Sequence, residues 1–339
     1  MKFVKNAWYV AAWADEVGSD NLFYRTILGD SILLFRQEDG VAVALRNRCP
    51  HRFVPLHLGK KIGNTVQCAY HGLVFNAQGK CSATPCGESI PRGAEVRSYP
   101  LVEKQKLLYI WMGDPEKADE SKIPDFWYIE DDSWASVKGY IRGESNYQLM
   151  VDNILDLTHT NYLHADTLGS EALATVKTDI EDKPEHLRLK RWMPNQFQAP
   201  LSAASRGFAH RLADSWLDTT WYPPSNMVIE MGMTEPGGRR EDGKVAFSLH
   251  LVTPETETSN HYFWSMSRDY CVEDSEMTRV IGHGFEKAFT VEDKPVLEHQ
   301  QRAMGETSFW DMKPIFLAGD SGALRARRRI DAMLAEEQA

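Results

Sequence analysis

The hydrophobic pattern divides the chain in two. From Asn6 to about Trp111, apolar positions come in short runs broken by turn residues. Residues 24–28, 31–36 and 41–45 are rich in Ile, Leu, Val and Phe, and Gly29-Asp30 and Asp39-Gly40 between them are hairpin signals. Residues 65–68 and 107–112 read as further strands; residues 48–52, 68–72 and 82–93 read as loops. The pattern predicts a small all-β domain over residues 1–115. Acidic residues and proline dominate from Asp114 to Trp134, which predicts a linker into a second domain over residues 116–339.

The second domain opens with a strand at 136–144. Strands at 186–192, 216–222, 227–233, 245–253 and 261–268 follow with no helix between them, which predicts an antiparallel sheet. A helical region spans 274–304, and a charged helix begins near Ala323. Between the first strand and the sheet lies the run NYQLMVDNILDLTHTNYLHA, residues 146–165. It threads Asp152, Asp156, His159 and His164 among Leu149, Met150, Val151, Ile154, Leu155 and Leu157. Acids and histidines are rarely buried without partners. At 100° per residue, Asp152, Asp156 and His159 share one helix face and His164 falls off it. For both histidines to reach one metal, the helix must distort or end near Asn161. Two histidines and one carboxylate form the facial triad that leaves positions open on non-haem Fe(II). The plainer alternative is an amphipathic helix with surface histidines.

A second constellation lies upstream: Cys49-x-His51 and Cys68-x-x-His71. Zinc accepts two thiolates and two imidazoles. A Cys2His2 finger, however, pairs its cysteines with each other and its histidines on a helix. Here each loop motif mixes one Cys with one His, which suits a Rieske [2Fe-2S] cluster with two Cys on one iron and two His on the other. Cys81, Cys86 and Cys271 complete the five cysteines, as an extra ligand or redox pair or as ordinary thiols. An odd, sparse set is not a disulfide framework.

Composition narrows the partners. The net charge of −10 argues against nucleic acid and anionic membranes, both of which need basic surface. The apolar run at 7–13 is too short for a signal peptide, and no stretch approaches a membrane span, so the expected location is cytoplasmic.

The motifs C-P-H-R and C-x-Y-H-G resemble the Rieske domain. With N-A-W-Y-V at 6–10, W-M-G-D-P at 111–115, V-D-N-I-L-D at 151–156 and T-P-E-T-E at 253–257, the whole chain resembles the vanillate O-demethylase oxygenase group of Rieske non-haem iron oxygenases. Arg52, Phe53, Gly72 and Leu73 stand where the respiratory form of the domain has its extra cysteines, which points to the oxygenase-associated form. The resemblance implies an α+β chain: an N-terminal all-β Rieske domain, then a catalytic domain with an antiparallel sheet and flanking helices of helix-grip type. It implies a cluster on Cys49, His51, Cys68 and His71, and a mononuclear Fe(II) on His159, His164 and an Asp from a late helix. The local match V-E-D-K at 291–294 gives Asp293, with Glu292 as the neighbouring alternative. Asp156 would bridge the iron histidine of one subunit to His71 of its neighbour in a homotrimer, with Asn153 and Asp152 supporting the site.

The resemblance further implies O2 as co-substrate and electrons from NADH through a flavin/iron-sulfur reductase or ferredoxin. The substrate would be a small aromatic acid whose methyl is hydroxylated, as in O-demethylation of a methoxybenzoate with release of formaldehyde. Hydroxylation of a ring or alkyl carbon, as with toluenesulfonate, is the alternative. A pure electron carrier is the reading from another class, but it needs only residues 1–115. His250 matches a substrate-contacting histidine of the dicamba enzyme and could equally be a satisfied sheet histidine. An anionic substrate group needs a cationic or hydrogen-bonding partner, for which Arg191, Arg206, Arg211 and Arg268 are available.

Overall fold

In the first unit, short apolar runs become three small sheets. The computed structural model describes residues 3–87, 89–164, 169, 173, 176–198 and 200–338. The chain divides into residues up to Asp125 with Thr253–Thr256, and Phe126–Val252 with residues from Glu257 on. One sheet orders Phe23–Ile27, Asp30–Arg36, Ala42–Arg46 and Ser98–Tyr99; a second orders Lys60–Ile62, Thr65–Gln67, Val74–Phe75 and Cys81–Ala83. A third places Leu107–Trp111 between Trp8–Trp13 and Leu101–Lys104. The first hairpin turns at Leu28-Gly29, with φ of 52° and 82°, and pairs Ile27 with Asp30. Positive φ at both turn residues matches the twist of the strands. The turn donates from Leu28 N to Pro254 O (2.9 Å) and from Gly29 N to Glu255 O (2.8 Å). Leu33, Phe35, Leu45, Leu56, Val66 and Phe75 form a core shared by the first two sheets, and Cys49 and Cys68 belong to it.

The acidic stretch is built structure up to Asp125. Asp114 and Asp119 cap the single 3-10 turns Pro115–Lys117 and Glu120–Lys122, their carboxylates accepting from Glu116 N and Ser121 N.

The second unit is organised on an eight-stranded sheet among the described residues. Its order is Ala135–Gly143, Ser259–Arg268, Lys244–Thr256, Asn226–Thr234, Ala213–Tyr222, Leu187–Lys190, Asp179–Asp182, with Trp192–Gln196 also paired to Ala213–Tyr222. Gly232 sits opposite Trp216 in register, and a Cβ there would lie 2.0 Å from the indole; only glycine lets the ring lie flat on the neighbouring strand.

The helix of the run at 146 is shorter than its apolar pattern suggests. It spans Tyr147–Leu155, with Asn146 capping Gln148 N. Asp156 leaves the helical region (φ −109°, ψ 96°), and its carboxylate accepts from Thr158 N, starting a 3-10 turn at Leu157–His159 and a short helix at Thr160–Leu163. The expected common face of Asp152, Asp156 and His159 therefore does not exist, and the break comes at Asp156 rather than near Asn161. A short carboxylate that can cap the next turn competes with continuing the helix. Residue 165, the end of the run, lies outside the described residues.

The late helical region is also interrupted. Ser275–Lys287 and Lys294–Met304 are α-helical, and Ala288–Asp293 between them is a π-helix in which Lys294 N reaches back to Phe289 O. Pro295 offers no N–H and would crowd the carbonyl four residues earlier, so a widened turn just before it relieves the conflict. Finally, Ser321–Glu336 is tied to Tyr147–Leu155 by Arg327, which holds the Asp152 carboxylate in a fork of 2.6–3.0 Å and Gln148 Oε1 at 2.6 Å. No helix among the described residues is long and apolar enough to cross a membrane.

Candidate metal centres and cavity

The two Cys/His motifs of the first unit sit on loops closed in the same way. Cys49 N donates to Val54 O (2.9 Å) and Cys68 N to Leu73 O (2.8 Å). Four residues after each cysteine the chain turns back, Phe53 N to Cys49 O (2.9 Å) and Gly72 N to Cys68 O (3.1 Å). Both turn residues have positive φ, 62° and 74°. Each loop thus buries its cysteine and leaves its histidine exposed. The Cys49 and Cys68 thiols act on each other, Cys68 raising the pKa of Cys49. The His51 and His71 rings lie 4.5 Å apart, centroid to centroid. Burial pushes the Cys49 thiol up, against which the backbone N–H groups of His51 and Arg52 pull it down. Two buried sulfurs beside two exposed imidazoles fit the mixed donor set of a Rieske cluster, which Cys49, Cys68, His51 and His71 would hold, and the His51 and Arg52 N–H groups at the Cys49 sulfur would tune its potential. Cys81 donates to Ala83 O at 3.3 Å, an ordinary buried thiol, and Cys271 is exposed. The Cys86 thiol lies outside the described residues.

The second unit brings His159, His164 and Asp293 together, with one donor atom from each inside a 4.8 Å span. His164 Nε2 lies 3.2 Å and His159 Nε2 3.7 Å from Asp293 Oδ1. The far nitrogens are already engaged: His159 Nδ1 bonds Asp156 O and His164 Nδ1 bonds Glu292 Oε2, both at 2.6 Å. Each ring therefore turns Nε2 toward the shared point, the arrangement that orients metal-binding histidines. Asn153 Nδ2 donates to Asp293 Oδ1 at 3.0 Å. The π turn explains why adjacent acids serve one histidine, Asp293 at Nε2 and Glu292 at Nδ1. Burial lowers the His159 pKa. At His164 burial is outweighed, and the Asp293 and Glu292 carboxylates raise it. A metal binding there would displace that proton.

Asp152 faces away from this centre, held by Arg327. Asp156 caps its turn, and its carboxylate lies against Gly319, where an added Cβ would approach Oδ1 to 2.7 Å. It borders a surface groove with His159, Phe309, Ile315 and Phe316.

The three donors line a cavity of about 120 Å³. Its walls are mostly apolar, from Trp216, Ile229, Met231, Met233, Phe285 and Phe289. Ile229, Met231 and Met233 project by the two-residue period of one strand, a signal that sequence reading could have used. His250 also lines the cavity, yet both its nitrogens have protein partners, Ser248 Oγ at 3.0 Å and Tyr262 OH at 2.6 Å. Burial pushes its pKa down to about 3, so the ring is neutral. Ser202 and Arg206 line the cavity from Pro200–Arg206, a short helix that sequence reading did not anticipate.

Comparison with known proteins agrees with both halves. Residues 7–100 match the Rieske [2Fe-2S] domain and residues 144–336 the vanillate O-demethylase oxygenase C-terminal domain. The chain is 38% identical to the toluene-4-sulfonate monooxygenase system iron-sulfur subunit of Comamonas testosteroni over 99% of this chain and 98% of that one. The crystal structure of dicamba monooxygenase bound to 3,6-dichlorosalicylic acid superposes with a TM-score of 0.94 at 36% identity, over 99% of both chains. Another dicamba monooxygenase structure, with non-heme iron and dicamba, gives a TM-score of 0.86 at 35% identity, covering 100% of this chain and 99% of that one. Domain order, donor chemistry and likeness along the whole length agree: the chain belongs to the Rieske oxygenases, monooxygenase components working with a [2Fe-2S] cluster, a mononuclear non-haem iron and O2, in the vanillate O-demethylase oxygenase group.

Proposed function

We propose that this oxygenase hydroxylates the methyl group of a small aromatic acid, and that with a methoxybenzoate the product collapses to a phenol and formaldehyde. The observation that carries this is a metal triad lining a mostly apolar cavity of about 120 Å³. An apolar cavity of ~150 Å³ is enough for benzene, so this one is on the scale of a single ring. Bound by His159, His164 and Asp293, a ferrous ion would supply O2 activation and C–H oxidation. The protein's part is to hold the methyl toward Nε2 of the two histidines and to exclude water. One O2, two electrons and two protons put one oxygen into the C–H bond and the other into water; the hemiacetal then releases formaldehyde.

Cys49, His51, Cys68 and His71 hold the cluster in this reading, within a Rieske domain over residues 1–115 and ahead of a catalytic domain over 116–339. Electrons come from NADH through a reductase or ferredoxin in the cytoplasm. Asp156 carries them between subunits of a homotrimer, from His71 of one copy to His159 of the next; its half-buried carboxylate on a groove supports that role. A second reading, oxidation of an aryl methyl without demethylation, is favoured by the 38% identity to the toluenesulfonate system. The test is formaldehyde release from methoxy- and methyl-substituted benzoates and sulfonates, with O2 and a reductase. A hydroxylated product with no formaldehyde from any methoxy substrate would overturn the demethylase reading.

A further inference from the structure

Of the four arginines that could meet an anionic substrate, three are already engaged. Arg191 donates to Leu155 O and Thr219 Oγ1, both at 3.3 Å. Arg211 pairs with Glu235 at 2.7 Å on the surface. Arg268 donates to Tyr270 O (3.2 Å), Asp274 O (3.0 Å) and Thr278 Oγ1 (2.8 Å).

Arg206 differs. It is 2% exposed and lines the cavity that carries the metal triad. Its Nη1 donates to Ser202 Oγ at 2.7 Å, and its guanidinium carbon lies 4.9 Å from the centre of the Tyr270 ring, which together fix its plane. Nε and Nη2, however, make no hydrogen bond among the described residues. No carboxylate pairs with it there; Asp269 acts on it only through space, its own carboxylate accepting from Val245 N at 2.8 Å. A buried cation without a partner is expensive to keep. The free pair has a meaning of its own: Nε–H and Nη2–H point the same way, the two-pronged edge by which arginine grips carboxylates and similar oxyanions. Ser215 Oγ, 2% exposed at the residue level and without a hydrogen-bond partner among the described residues, lines the same cavity.

We infer that Arg206 is the anchor for the anionic group of the substrate, taking a carboxylate or sulfonate through Nε and Nη2 so that the apolar walls turn the ring and its methyl toward the triad. This rests on the reading of an aromatic acid as substrate and names the residue that selects it. The anion supplies the counter-charge that the protein withholds, so an uncharged arene leaves a buried cation unpaired and is rejected. Lysine cannot reproduce the fork.

The experiment is calorimetric titration of the intact, iron-loaded oxygenase with 4-methoxybenzoate, 4-methylbenzenesulfonate and the neutral 4-methoxybenzamide. The wild-type protein binds at least one anion and discriminates against the amide. Arg206→Met weakens the anion roughly 10- to 100-fold, the range for a charge-assisted hydrogen-bonded pair, and leaves amide binding no weaker than in the wild type, since the unpaired cation that rejects the amide is gone. Arg206→Lys falls between. If Arg206→Met loses the amide as well, its fold is in question and Arg206→Lys decides: unchanged anion affinity in that variant overturns the assignment. Anion binding that is equal in wild type and Arg206→Met overturns it directly, as does a wild-type protein that binds neither anion. Product analysis separates this from the demethylase reading. Anions held through Arg206 but oxidised without formaldehyde leave the anchor standing and remove demethylation. Formaldehyde formed with equal KM by wild type and Arg206→Met does the reverse.

Discussion

Glu292 Oε2 lies 2.6 Å from Nδ1 of His164, on the side of the ring opposite Asp293. The carboxylate fixes the tautomer and makes Nε2 a better donor. Glu292→Gln keeps a hydrogen-bonding oxygen but loses the charge, and should weaken mononuclear iron binding roughly 10-fold; Glu292→Ala should approach 100-fold. Iron competition against a graded chelator reads this, with the cluster's visible spectrum as the internal control. Unchanged iron affinity in Glu292→Ala would remove Glu292 from the site.

Asp293 is 2% exposed and lies within reach of both histidines. Asp293→Ala should lose the mononuclear iron while keeping the cluster spectrum, because the cluster motifs lie in the other unit. Loss of both signals together would mean that the variant unfolds rather than that a ligand is missing.

The sequence showed most of this site because the chemistry is local. Cys49-x-His51, Cys68-x-x-His71 and His159 with His164 sit within single loops or turns, where spacing is informative. Strand periodicity likewise placed the longer strands of the second unit to within a few residues. Periodicity alone did not separate Asp293 from Glu292, a choice that only the family resemblance made, because the region is a π turn that regular 3.6-residue periodicity cannot express. The one-face helix failed because Asp156 prefers to cap rather than continue. The role of Asp152 depended on Arg327, far along the chain, and that of Arg206 on a short helix with no periodic signal.

Asp156 holds His159 through its backbone carbonyl, at 2.6 Å, while its carboxylate accepts from Thr158 N at 2.9 Å. Asp156→Asn preserves both contacts and removes the negative charge. Both metals should therefore be retained, and coupled turnover should fall by at least 10-fold if the charge serves electron arrival. Stopped-flow oxidation of the reduced cluster in the presence of substrate is the direct measurement; a wild-type rate would end the bridging proposal.

Arg327 and Asp152 tie the last helix to the helix before the iron site, with side chains 6% and 22% exposed. Arg327→Leu strands the carboxylate and should cost about 3 kcal/mol of stability. The double variant Arg327→Leu, Asp152→Leu should recover most of that loss, since an apolar pair of similar volume is about neutral. Denaturant midpoints of the four proteins in the cycle give the coupling. Additive losses would show that the pair is not stabilising.

His250 makes stability depend on acid. Burial holds its pKa at about 3 in the folded protein, whereas an unfolded histidine titrates near 6.5. Below about pH 6.5 the unfolded chain takes up a proton that the folded chain refuses, so the stability present above that pH is lost as pH falls toward 3. One such group steepens the dependence by about 1.4 kcal/mol per pH unit across the middle of that window. Replacing the imidazole with an amide, His250→Gln, removes the titration but can keep bonds to Ser248 and Tyr262. Urea unfolding of both proteins between pH 6 and pH 4 should therefore show the shallower slope in the variant. Parallel slopes would mean that His250 is protonated in the folded cavity, and its ring would then be a second cation facing the substrate.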